Sequence, residues 1–448
     1  MAMSRLYMIV CGVILVGYAV MNKAFAYIGY KPLFISEVFL AFSLFMVLAG
    51  AMSARVFNSP LAWIVVIFMF WGAVRTFPYV EDYGLLAIRD AVLWYYALFA
   101  LLVGGALLRG GHLGSVPRWY IKWLPWFLVI APIFFMIGQR ISDSLPTFPG
   151  TKVPIISMKP GDMAVHLAGA AAFLGLGLHR GILRAGEKFS QAKEFGMWMI
   201  WGIAVIAAGS RNRGGLMSVF LACAIVLLFK PMGRLNQVIL PALIVIMLGL
   251  AFDVKVPMGG QRYFSVQQII DNLQSVVGKS NKSELTGTAS WRLEWWTKIV
   301  DETLTGDFFW DGRGYGPDLS ALHGFSDATG NRSPHNGHLT ILARSGVPGL
   351  VLWLTFLVCV GCFLLQGYFR MRALGHNELA NMNIWALAYM SAFMVNSSFD
   401  VYLEGPQGGI WFWSLMGFVI ALTEEQRLLY SRATAAQRVV TTAPVGRF

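Results

Sequence analysis

The chain has 448 residues, 57% of them hydrophobic and 13% charged, with a formal net charge of +12, against roughly 45–50% apolar and 25% charged in soluble proteins. So few charged groups cannot cover a soluble body of this size, and a mean hydropathy of +0.61 describes a chain dissolved mostly in lipid, which excludes soluble enzymes, disordered chains and disulfide scaffolds. The four cysteines all fall in apolar runs, so Cys359-x-x-Cys362 reads as two buried thiols one helical turn apart rather than a redox or metal pair.

A helix needs about 20 apolar residues to cross a hydrocarbon core, because every backbone N–H and C=O must be paired within the segment. Twelve stretches qualify, near 6–22, 33–53, 61–75, 85–107, 119–138, 162–179, 195–209, 214–229, 236–252, 348–369, 383–399 and 408–423. The predicted fold is an all-α polytopic membrane protein of about 12 transmembrane helices. It divides into helices one to nine (1–252), a loop with short amphipathic helices (253–347), helices ten to twelve (348–423) and a tail (424–448). The seventh and eighth spans are short enough for a tight or partly re-entrant hairpin. Arg5, the first apolar run and Ala24-Phe25-Ala26 together resemble a secretory signal with its cleavage site; the first helix is read as uncleaved, and the sidedness downstream is the same either way.

With the amino terminus in the cytoplasm, the inside segments carry 17 basic residues and five acidic ones, which accounts for the whole net charge of +12. Short basic loops stay inside while long loops are exempt from the rule, so both termini are expected in the cytoplasm and the polar excursion 253–337 outside. The basic face meets anionic lipid, and no nucleic acid is needed to explain it. A polar loop of that length is uncommon without a function, and this one is rich in Gly, Asp, Arg and aromatics, among them Trp291, Trp295, Trp296, Trp310 and Tyr315.

Four segments can carry chemistry. In Gly209-Ser210-Arg211-Asn212-Arg213-Gly214-Gly215, Arg211 and Arg213 sit between two apolar runs, where each costs roughly 2.5–3.5 kcal/mol at bilayer depth. A fixed phosphate, gripped by guanidinium forks and the start of the next helix, would offset that cost; arginines snorkelling to headgroups fit the spacing equally. Ser290 to Val300 reads as an amphipathic helix capped by Ser290, with Arg292 and Trp296 on one face and an i, i+4 pair, Glu294 and Lys298, on another. Asp311-Gly312-Arg313-Gly314-Tyr315-Gly316 is a glycine-rich turn able to lie against a sugar or phosphate.

The segment Ser333-Pro334-His335-Asn336-Gly337-His338 reads as a helix start, with Ser333 as cap, Pro334 as first residue and Gly346 as stop. His335 then lies in the first turn, where unpaired N–H groups disfavour imidazolium and a neutral histidine can accept a proton; a surface histidine near a cap has the same spacing. After these four, the outer connection Asn396 to Pro406 supplies Asp400 and Glu404, expected to pair with the arginines or to bind acceptor hydroxyls.

These residues resemble the O-antigen ligase and polymerase superfamily of bacterial inner-membrane glycosyltransferases. The resemblance rests on Ser210-Arg211, Arg292-x-x-x-Trp296, Gly312-x-Gly314-x-Gly316, His335-Asn336-x-x-Leu339 and Gly346-Val347-Pro348-Gly349-Leu350, over roughly 200–365. It implies a periplasmic loop between helices nine and ten and a metal-independent, inverting transfer of glycan from an undecaprenyl diphosphate carrier, without a cofactor. It further implies that Arg211 and Arg292 hold the diphosphate, with Arg213 able to replace Arg211, and that His335 activates the acceptor hydroxyl. Arg313, Asn336, Trp296, Asp400 and Glu404 are expected around the donor. The acceptor is a glycan or glycolipid such as lipid A-core for a ligase, or the growing chain for a polymerase; both use the same donor site. A transporter or lipid flippase is the reading from another class, and it lacks paired interrupted helices.

Overall fold

The computed structural model describes residues 2–30, 32–181, 189–209, 211–230, 256–257, 263–264, 283–326 and 332–442. The expected ninth span, Ser210 and much of the long polar segment lie outside the described residues. The main helices are α1 (Ala2–Met21), α2 (Ile35–Leu48), α3 (Pro60–Thr76), α4 (Leu98–Gly110), α5 (Val116–Ile141), α6 (Pro160–Leu176), α7 (Gln191–Gly209), α8 (Arg213–Phe229), α9 (Ser283–Val300), α10 (Gly337–Ala373), α11 (Asn377–Ser397) and α12 (Pro406–Thr442). Two antiparallel ladders of two residues per strand are the sheet structure among the described residues.

This is an all-α membrane protein. Five described stretches are long and apolar enough to cross a bilayer: Ala2–Met21, Pro60–Tyr83, Val92–Gly110, Leu113–Ile141 and Gly337–Ala373. The count of twelve spans is not reproduced by that measure. Helices α2 and α8 are apolar but shorter, whereas α6, α11 and α12 carry more small and polar residues, with α6 packed on α11 and α12 packed on α4 and α11.

The centre is built on close approach. Helix α6 is buried along nearly its whole length and packs against α8 and α11. Its small residues let large neighbours in: the Tyr389 ring fills the space a Cβ at Gly169 would need, and Trp385 Nε1 donates to Gly169 O at 3.0 Å. A second close contact joins α4 to α12, where a Cβ on Gly417 would lie 2.8 Å from Ala100 O. Small residues of this kind drive helix association in lipid, where apolar burial contributes little.

The fourth expected span, 85–107, is not one helix. It is broken into Leu85–Asp90, Val92–Tyr95 and α4, and the first break follows Asp90, which answers buried Arg344 at 2.9 Å. The expected tight or partly re-entrant hairpin takes the tight form: α7 and α8 are helices of 19 and 17 residues joined by a turn that includes Arg211 and Asn212. Of the paired cysteines, Cys359 is half-buried and Cys362 exposed, not two buried thiols.

The bundle has two chemically distinct ends. At one, Arg55 pairs with Glu425 at 2.9 Å, Arg427 with Glu424 at 2.9 Å, and Lys230 donates to Leu176 O. At the other, the starts of α6, α8 and α10 meet the end of α11, and the polar segment docks there. Arg75 Nε donates to Asp311 O at 2.8 Å, Trp71 Nε1 donates to Ser345 O at 2.9 Å, and Arg332 contacts Asp90 at 3.4 Å.

The glycine run Gly312 to Gly316 is a packing device rather than an open cradle. Gly312 and Gly314 are buried, and the Arg313 and Gly314 N–H groups donate to Ala343 O and Arg344 O at 2.6 and 3.0 Å. Gly312 has φ 59°, and a Cβ there would stand 2.6 Å from Arg344 C and Gly346 N. Gly312→Ala therefore carries both left-handed strain and a backbone clash, together about 3 kcal/mol. Gly324→Ala, with φ 77° but open space, should cost about 1 kcal/mol. Unfolding of the two variants in detergent, followed side by side, measures the difference, and equal costs would contradict the packing role.

Candidate active site

The turn that carries His335 is built by its neighbours. Asn336, not Ser333, caps α10: its Oδ1 accepts from the His338 and Leu339 N–H groups at 3.0 and 3.1 Å. His335 thus precedes the cap instead of lying in the first turn, and Asn336 is occupied in holding the helix end. His335 adopts φ 55°, a left-handed conformation uncommon outside glycine and concentrated at functional sites. Gly346 does interrupt α10, with φ 66° and ψ −172°.

Helix α9 lies over this turn. It begins at Ser283, before the expected cap at Ser290, and Lys298 and Glu294 do pair along it at 3.7 Å. Trp296 Nε1 donates to Pro334 O at 2.8 Å, and the Trp291 ring stands 6.2 Å from that of His335. On the same face Arg292 Nη1 donates to Phe399 O at 3.2 Å, while its Nε is buried without a hydrogen-bond partner among the described residues. Burial draws the Arg292 guanidinium below its usual range; Asp400 opposes that and the charge of Arg213 reinforces it. Arg213 opens α8, and Arg211 is half-buried in the preceding turn. Asn212 Oδ1 accepts from Gly215 N–H at 2.6 Å, so one backbone donor at that helix start is already taken.

Asp400 is the carboxylate of the cluster, yet its hydrogen-bond partners among the described residues are not arginines. Lys159 Nζ donates to its two oxygens at 3.1 and 3.3 Å, Val401 N–H donates to Oδ1 at 2.8 Å, and His335 Nδ1 stands 3.8 Å from Oδ1. Burial alone would raise this carboxyl, but His335 and the Lys159 ammonium hold it well below the ordinary range. Glu404 accepts from Thr340 Oγ1 at 2.9 Å, and burial pushes it above the usual carboxylate value despite the nearby Arg344.

Other expected residues serve the scaffold. Arg313 pairs with Glu302 at 2.7 Å and covers the Phe308 ring at 3.6 Å. Glu302 also meets His323 Nε2 at 2.8 Å, and Trp295 Nε1 donates to His323 Nδ1 at 2.8 Å. Trp295 and Tyr315 are fully buried, so neither can stack on a sugar, whereas Trp310 is 69% exposed. His338 is held by Trp353 Nε1 at 2.9 Å.

Sequence reasoning missed Lys159, Asp162, Asn22 and Asn396. The available signal was Lys159-Pro160-Gly161-Asp162 at the mouth of an apolar run, a charged pair flanking a helix start. It also missed Arg344, buried to 1% exposure, which donates to Gly314 O and Pro317 O at 3.2 and 3.3 Å besides pairing with Asp90.

Three helix N-termini, the cations Lys159, Arg213 and Arg292, and one histidine braced on a carboxylate therefore meet at one end of the bundle. Helix N-termini and guanidinium groups favour bound anions, and the histidine can exchange a proton beside them. Arg344→Met removes the 2.9 Å partner of Asp90 and leaves that carboxylate to Arg332 at 3.4 Å, a loss of about 1–3 kcal/mol, read as a lowered unfolding midpoint together with easier proteolysis within 306–326.

A comparison with curated proteins finds no match. Residues 197–354 match the family model described as O-antigen ligase, a stretch that contains Arg211, Arg213, Arg292 and His335 but neither Lys159 nor Asp400, and the resemblance to the O-antigen ligase superfamily read from the sequence thus holds for this domain of the chain.

Proposed function

We propose that the chain is a glycosyltransferase of O-antigen ligase type, which moves a glycan from an undecaprenyl diphosphate carrier to an acceptor glycan hydroxyl. The observation that carries this reading is the placement of His335, braced by Asp400 and overlain by α9, beside Arg292 and Arg213. A domain of the O-antigen ligase family supports ligase or polymerase chemistry in general; the cluster supports the particular roles.

In this mechanism His335 Nδ1 faces Asp400, leaving Nε2 to take the proton of the acceptor hydroxyl. The acceptor oxygen attacks the anomeric carbon from the side opposite the carrier and inverts it. The bond to the diphosphate oxygen breaks with its electron pair, and Arg292, with Arg213 or Arg211, stabilises the charge developing there, the task of preplaced donors in a site partly screened from water. Arg292 Nε, buried and without a hydrogen-bond partner among the described residues, is a donor available to an oxygen that arrives with the substrate. Trp291 and Trp310 are the loop aromatics available to sugar faces.

The proposed topology has twelve spans in a bacterial inner membrane, both termini in the cytoplasm and the active loop 253–347 in the periplasm. The two ends of the bundle support it: the Arg55–Glu425 end gathers the segments assigned inside, and the His335 end gathers those assigned outside.

Purified protein in lipid nanodiscs, given an undecaprenyl diphosphate-linked oligosaccharide with and without acceptor, tests the reaction. A single transfer to the added acceptor with release of the carrier is the expected outcome; a ladder still on the carrier would identify a polymerase. His335→Ala should lower turnover by about 10²–10⁴-fold and Arg292→Ala by about 10²-fold or more, with the fold retained. Transfer at the wild-type rate by His335→Ala would refute the assignment.

A further inference from the structure

Lys159 lies outside the matched region 197–354 and yet touches both oxygens of Asp400. It immediately precedes Pro160, the first residue of α6. The oxygen it approaches at 3.1 Å, Oδ1, is also the one that faces His335 Nδ1 at 3.8 Å. On its other side the Lys159 N–H donates to Asn22 Oδ1 at 3.4 Å. Asn22 Nδ2 donates to Asp162 Oδ2 at 3.1 Å, and Asn396 Nδ2 to Asp162 Oδ1 at 3.4 Å. Asn22 is fully buried and holds φ 52°, a strained conformation for a residue other than glycine. The turn after α1, the start of α6, the end of α11 and the connection to α12 are thereby joined in one chain of contacts that ends at His335.

The geometry points to Lys159 as a positioning residue for glycan transfer: it shares the charge of Asp400, so that the carboxylate orients the imidazole of His335 without holding it as imidazolium. A carboxylate beside a histidine favours the charged ring, and a cation on the same carboxylate weakens that preference. This rests on the reading of His335 as the proton acceptor. Burial would lower the Lys159 ammonium, but Asp400 and Asp162 raise it above its usual value, so it stays charged throughout the working range. The other charged groups facing this cluster are Arg292 on α9, Arg213 at the start of α8, Lys23 after α1 and Glu404 before α12. Lys23, Arg213 and Arg292 act in the same direction as Lys159, which is the cation that hydrogen-bonds Asp400 among the described residues. Asp162 acts against it, and Glu404 is engaged by Thr340.

The test is the pH dependence of transfer by full-length protein in nanodiscs, for wild type, Lys159→Met, Lys159→Gln and Lys159→Arg. In Lys159→Met the acidic limb of the rate profile should move up by about one pH unit, because a higher pH is then needed to keep the ring neutral, with the alkaline plateau within about threefold of wild type. Lys159→Arg should return the limb to its wild-type position. Lys159→Gln, which keeps a polar side chain at this place without the charge, should move it the same way as Lys159→Met and keeps the proposal testable where Lys159→Met does not fold. A rate loss uniform across pH, or limbs that do not move in either direction, would overturn the assignment and leave Lys159 as a packing residue. His335→Gln separates the two levels: if its residual transfer keeps the wild-type acidic limb, the proton-acceptor reading fails, whereas a limb that depends on His335 but ignores Lys159 defeats only this inference.

Discussion

The buried pair of Arg344 and Asp90 is the constraint around which the polar end of the molecule is arranged. A guanidinium with 1% exposure must have each of its donors answered, and a carboxylate, two loop carbonyls and the ring of Tyr315 nearby do so. Those partners come from the broken fourth apolar segment and from the glycine run, so one side chain fixes both against the first turns of α10. Removing one partner of such a pair is expensive, while the intact pair contributes little net stability. Its consequence is positional: Asn336 caps the helix that carries Arg344, and His335 leads directly into that cap.

The site itself is assembled by convergence rather than by sequence proximity. Helices α6, α8 and α10 each bring an N-terminus, α9 brings Arg292 and Trp291, and the connection after α11 brings Asp400. Each contributes a group that would be poorly placed alone. Asp400 without Lys159 would be an unbalanced half-buried charge, and Arg292 without the Phe399 carbonyl would lack a fixed direction. Electrostatic preorganisation of this kind costs nothing at the moment of reaction because the helices already hold the groups in place.

Much of this was legible in the sequence. The helical class, the membrane solvent and the segments holding Arg211, Arg292, His335 and Asp400 follow from hydropathy, from basic residues and from motif order. What was not legible depends on contacts between distant segments. Asp90 looked like part of a span because periodicity cannot show that Arg344, 254 positions later in the chain, answers it. The burial of Trp295 and Tyr315 was not legible because an aromatic in a polar loop carries no mark of being buried. Ser333 lost the cap to Asn336 because both are good capping residues and the left-handed bend at His335 decides between them. Lys159 was missed because a lone lysine at the mouth of an apolar run is commonplace until its partner on another connection is known.

The break at Gly346 has a consequence for how the protein meets lipids of different length. The apolar body of α10 can tilt to match a thicker or thinner hydrocarbon layer, as helices do at modest cost per ångström. The interruption lets that tilt be absorbed below Arg344, whose bonds to the glycine run and Asp90 hold the upper turns in place. The position of His335 is therefore tied, through Asn336 and the turns up to Arg344, to the polar segment and Asp90 rather than to the apolar body of α10 beyond the break.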